Sequence, residues 1–98
     1  MLTMKVENLT NNKGNKAVNQ FVINDYTHGA VIFQSYDTQI AEIKNGRLTL
    51  TDAFNYSNTT SKHAKIFITD YFTNNENATM AIWKDAKKGK RVFKRLDY

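Results

Sequence analysis

The sequence predicts an α+β fold: a small antiparallel β-sheet of about four or five strands in meander order, with two helices toward the C-terminus. Three observations carry that expectation. Between residues 17 and 51, short β-branched and aromatic runs alternate with turn signals, the strongest being Asn45-Gly46. Beyond residue 58 the apolar residues recur at helical spacing behind hydroxyl and amide cap candidates. Finally, 98 residues with 41% hydrophobic content suffice for one core, so the chain reads as a single domain. Its parts are an N-terminal extended segment and loop (1–16), a β-meander (17–51) and a helix–helix–strand segment (59–98).

Leu2, Met4 and Val6 alternate as a short first strand would, and the polar, turn-prone residues 7–16 read as the loop behind it. Ala17 to Asn24 is β-branched and aromatic, a strand. Asp25 to Gly29 is a five-residue hairpin loop, and Ala30 to Tyr36 returns. Gln39 to Lys44, with Ile40, Ala41 and Ile43, is a third meander strand. Asn45 and Gly46 both tolerate the positive φ of a type I′ turn, and Arg47 to Thr51 then alternates strictly.

The first helix starts from Thr59, Thr60 or Ser61 as cap and carries Ala64, Phe67, Ile68 and Tyr71 through Phe72. β-branching at Ile66, Ile68 and Thr69 lowers its helix propensity. Asn74 to Asn77 breaks it and caps a second helix with Ala78, Ala81, Ile82 and Ala86 on its apolar face. Lys87 and Lys88 suit the negative end of that helix dipole, and Gly89 suits the left-handed position after it. Lys90 to Leu96 ends the chain as a strand with Val92 and Leu96 on one face and Arg91, Phe93 and Arg95 on the other.

Charge is unevenly placed. Residues 1–83 hold seven basic and seven acidic side chains, whereas Lys84, Lys87, Lys88, Lys90, Arg91, Lys94 and Arg95 face only Asp85 and Asp97, giving the whole +5. A local cationic patch addresses a polyanion or an acidic protein surface. Lys84, Lys87 and Lys88 share a helix face, and Arg91 and Arg95 flank Phe93, a pattern in which cations track phosphates while the ring stacks on a base. The same cations also suit a solvated helix end and an edge strand guarded against aggregation.

Other chemistries find little support. Cysteine is absent, which removes disulfides and thiolate metal sites and suits a reducing cytoplasm. His28 and His63 lack metal-ligand spacing, so no metal and no cofactor is expected. The nine carboxylates are scattered singles without a nucleophile motif or phosphate loop, so the protein is expected not to be an enzyme. No stretch reaches membrane-span length and no secretory signal opens the chain, so no membrane partner is expected. The polar run Phe54 to Lys62 reads either as a strand-to-helix loop or as a contact loop with Tyr56 as anchor and Lys62 beside it.

Three stretches carry a resemblance. Asn19-Gln20-Phe21, then Phe33-Gln34-Ser35-Tyr36-Asp37-Thr38 with Ile40-Ala41-Glu42-Ile43, then Tyr56-Ser57-Asn58-Thr59-Thr60-Ser61-Lys62 resemble a family of small proteins on phages and plasmids of Gram-positive bacteria. That family usually has glycine at Ser61 and tryptophan–aspartate at Phe54-Asn55. It has no assigned catalytic residues. Small mobile-element proteins of this kind include anti-CRISPR inhibitors of type II RNA-guided nucleases.

The resemblance and the charge together lead to the expectation of a non-enzymatic inhibitory binding protein in the bacterial host cytoplasm. Its partner would be a CRISPR effector nuclease or the guide RNA, met through Lys84, Lys87, Lys88, Lys90, Arg91, Phe93, Lys94 and Arg95. The alternatives are a general single-stranded nucleic-acid-binding accessory protein and a homo-oligomeric module whose edge strands pair between copies.

Overall fold

Asn45 and Gly46 take φ of 55° and 74°, the pair of positive angles a type I′ turn demands. They join β4 (Thr38–Lys44) to β5 (Arg47–Leu50) in a two-residue hairpin. The computed structural model, which describes residues 3–95, completes the sheet with β1 (Met4–Thr10), β2 (Lys16–Asp25), β3 (Ala30–Ser35) and β6 (Val92–Lys94). All pairings are antiparallel and the spatial order is β1-β2-β3-β4-β5-β6. Two helices, α1 (Asn58–Ile68) and α2 (Glu76–Lys87), follow β5 and precede β6.

The α+β meander stands, with six strands rather than four or five. β1 runs through residues read as loop, and the loop shrinks to 11–15. Leu9 explains the extension: it is buried in the core, and the neighbouring Asn8 Nδ2 donates to the Ala17 carbonyl at 3.0 Å. Polar Glu7 and Thr10 are no obstacle because β1 is an edge strand with solvent beside it. The C-terminal strand is shorter than Lys90 to Leu96 and joins the main sheet beside β5; Leu96 lies outside the described residues.

One face of the sheet is covered. Val22, Phe33, Ala41, Leu48, Leu50 and Phe93 project from it into a core shared with Phe67, Ile68, Ile82 and Trp83 of the helical layer. Phe33 stacks on Phe67 at 5.6 Å between centroids, and Phe54 meets Trp83 edge-on at 5.1 Å. α1 is capped by Ser57, two to four residues before the hydroxyls expected to do so: its side chain accepts from the Thr60 N–H. At Thr69–Thr73 the helix widens into a π turn closed by the Asn74 N–H on the Thr69 carbonyl, where the β-branched run weakens α propensity. α2 ends as expected, with Gly89 at φ 112°.

Candidate functional site

The hairpin at Asn45-Gly46 fixes a row of like charges. Lys44 lies directly opposite Arg47, and Arg47 directly opposite Lys94. Because Leu48 and Phe93 point into the core, these alternate residues point to the other face of the sheet, and all three are exposed. Like charges directly opposed across strands are unfavourable, so this row costs stability rather than supplying it. Beside it a shallow hollow of about 310 Å3 runs between the β4–β5 turn and the end of β6, bordered by Arg47, Lys94 and Arg95.

The C-terminal cations are divided by the same alternation. Arg91, Phe93 and Arg95 do share a face, but it is the face turned to the helices. Phe93 is 0% exposed, so the expectation that it stacks on a base is corrected: burial in the apolar core claims the ring. Arg91 reaches across its own chain. Its Nη1 donates to the Ala86 carbonyl at 2.6 Å, Nε lies 3.3 Å from Asp52 Oδ1, and the guanidinium covers the Phe54 ring at 4.6 Å. The Ala86 carbonyl also accepts from the Gly89 N–H at 3.0 Å, so Arg91 adds a second, charged donor at the end of α2. Arg95 donates to the Tyr71 carbonyl at 3.2 Å and lies over Phe72.

Lys84, Lys87 and Lys88 remain exposed on the last turns of α2, and Lys90 extends over the Phe93 ring at 5.1 Å. Lys90 and Lys94 sit at opposite ends of β6, so the expected single patch becomes two. Lys44 and Arg47 come from the electrically balanced part of the chain, and the sequence reading missed them. The signal was there: a two-residue hairpin loop makes its flanking residues direct neighbours.

A second concavity, a groove of about 350 Å3, opens between α1, the π turn and the start of α2. Lys62, Lys65 and Asp70 line it from α1 and the π turn, and Glu76 from the start of α2. Burial raises the Asp70 carboxyl above its ordinary value, and burial, then the charges of Glu7 and Asp70, raise the Tyr71 hydroxyl. A hydroxyl chain underlies the groove, Thr69 to Thr79 at 2.7 Å and Thr73 to Thr79 at 2.8 Å, and ties the π turn to α2. Tyr56 is 53% exposed in the loop before α1 and Lys62 is one turn into that helix. His28 is held by Asp25 at 2.8 Å, a hydrogen bond that lowers the Asp25 carboxyl, and His63 Nδ1 meets the Thr59 carbonyl.

The three stretches that carry the resemblance converge. Gln20 is paired in register with Ser35, and Ser35 Oγ lies 2.9 Å from Thr60 Oγ1, with all three residues buried. They form a polar seam that seats the start of α1 on the sheet. The model of one family matches residues 4–90, which includes this seam. The chain belongs to DUF8033, a family of unknown function. The DUF8033 match takes in β1 to β5, both helices, Lys44, Arg47 and the α2 lysines, and stops short of β6. No curated protein and no solved structure matches the chain. Among the described residues, no helix is long and apolar enough to cross a membrane.

Proposed function

We propose that this protein is a non-catalytic binding protein that holds the phosphate backbone of an RNA on the Lys44–Arg47–Lys94 row, with Lys84, Lys87 and Lys88 as a second electrostatic grip. The carrying observation is the row itself, three cations placed in direct opposition at a cost to the sheet. A repulsion that a stable fold tolerates is relieved when an anion lies across it.

Residue type suits phosphate. Arg91 and Arg95 are engaged with their own chain, which leaves Arg47 as the guanidinium of the row, a fork that can take a phosphate bidentately between two lysines. The cations facing solvent are mostly lysines, compact charges with rotatable donors that suit a repeating phosphate chain. With Phe93 in the core, the contact is electrostatic and indifferent to base sequence. The narrower reading, a mobile-element inhibitor that takes the guide RNA of a CRISPR effector nuclease in the bacterial cytoplasm, is supported by the sequence resemblance.

Fluorescence polarisation with a labelled single-stranded RNA, across a salt series, tests the proposal. The slope of log affinity against log salt is about −0.7 per phosphate contacted, so Lys44→Gln/Arg47→Gln/Lys94→Gln should flatten it by about 2. No RNA binding at ~50 mM salt, or an unchanged slope in the triple variant, would overturn it. Pull-down of an apo-nuclease, with and without its guide RNA, then separates the narrower reading from general RNA binding. Capture of the protein-only form in place of RNA would move the partner to an acidic protein surface.

A further inference from the structure

The sheet ends in β6, with three residues, and in β1, with seven. The Thr3 carbonyl accepts from the Tyr26 N–H at 2.9 Å, and that bond sets the phase of the β1–β2 ladder. Thr3, Lys5 and Glu7 therefore turn their backbone groups to β2, while Met4, Val6 and Asn8 turn theirs to the open edge. This edge has no proline, and its side chains are exposed from Met4 to Glu7. Such an edge is a template for another strand.

We infer that β1 pairs antiparallel with β1 of a second copy of this chain, about a two-fold axis through Val6. Three registers place outward-facing backbone groups opposite one another near the strand centre, and charge chooses between them. An axis at Lys5 sets Lys5 against Lys5 of the partner subunit, and an axis at Glu7 sets Glu7 against its copy. An axis at Val6 sets Lys5 against the partner's Glu7 and Glu7 against the partner's Lys5. Those two pairs fall at the non-hydrogen-bonded positions, where side chains come closest. The same register makes Val6 a hydrogen-bonded pair with its copy and matches Met4 with the partner's Asn8. Among the described residues neither Lys5 nor Glu7 has an ion pair within its own chain.

A second observation agrees. On the face away from the helices, Val6, Ile23 and Ile32 form a cross-strand row, with Val6 57% exposed at its end. Pairing through Val6 continues that row into the partner, so the sheet grows to twelve strands and the apolar side chains become contiguous across its central six. The basic row lies at the far side of the sheet and stays free, so this inference is independent of the RNA-binding reading.

Sedimentation velocity on the full chain, up to ~0.5 mM because an edge-to-edge interface is small, tests it. The wild type should show a reversible dimer. Lys5→Glu and Glu7→Lys are exposed changes that each place like charges in both symmetric pairs, so each should weaken dimerisation about tenfold or more. Mixing the two variants should restore association, since every cross-strand pair is then of opposite sign. A monomeric wild type, a dimer indifferent to either substitution, or a mixture no more associated than its components would overturn the inference.

Discussion

Arg47→Gln should make the protein more stable, and by an amount that salt controls. Arg47 is the centre of the cationic row and has a like charge opposite it on both sides. With the charged tips splayed to about 7 Å in a medium of dielectric constant about 80, each repulsion is ~0.6 kcal/mol. Removing both yields ~1 kcal/mol in ~10 mM salt, ~0.5 kcal/mol at physiological ionic strength and ~0.1 kcal/mol in 1 M salt. Urea unfolding followed by tryptophan fluorescence reads the difference through Trp83, which is 2% exposed in the core. For a slope of about 1 kcal/mol per molar urea, the midpoint should rise by ~1 M at low salt and hardly move at high salt. Loss of stability at low salt, or a gain of equal size at every salt concentration, would refute the reasoning. The same substitution should weaken RNA binding, so stability and affinity move in opposite directions.

Phe93→Ala should cost about 3–5 kcal/mol in urea unfolding, because it empties a fully buried ring site; a loss below ~1 kcal/mol would return Phe93 to the surface. Gln20 is 0% exposed and neither polar atom of its amide has a hydrogen-bond partner, so Gln20→Met should stabilise by about 1–2 kcal/mol in the same assay. Asp70 has a carboxyl pKa raised by burial above 3.8, so the folded state holds that proton more tightly than the unfolded chain. Its contribution therefore falls as pH rises from 3.8 through the raised value. Asp70→Asn should raise the urea midpoint at neutral pH, with the gain gone near pH 3; a gain of the same size at both pH values would contradict the linkage.

Much of the fold was legible because the turns are local. Asn45-Gly46 dictates its hairpin from two residues, and Arg47 to Leu50 alternates without exception. β1 was harder to read, since an edge strand tolerates Glu7, Asn8 and Thr10, and its one diagnostic residue is Leu9. The functional surface was half legible. The period of the last strand was read correctly, but alternation tells which residues share a face, not which face meets the helices. That sense is set by Leu48 opposite Phe93, a pairing across 45 positions of sequence. It sent Phe93, Arg91 and Arg95 inward and left Lys94 outside with Lys44 and Arg47. The hydroxyl bond from Ser35 to Thr60 is similarly long-range, and only the fold explains why those two stretches go together.

A sheet whose spatial order repeats its sequence order also governs how the chain becomes structured. Strands β1 to β5 meet through short hairpins, so they associate with little loop-closure entropy and do so early. Their helix-facing side, with Val22, Phe33 and Leu48, is then bare until α1 and α2 settle on it. β6 reaches β5 only across the whole helical excursion, so on topology it is expected to close last, and its Phe93 completes the core. The final strand is thus the latch of the fold. A chain cut before it should persist as a sticky half-assembled sheet, prone to aggregate instead of merely losing a patch of charge.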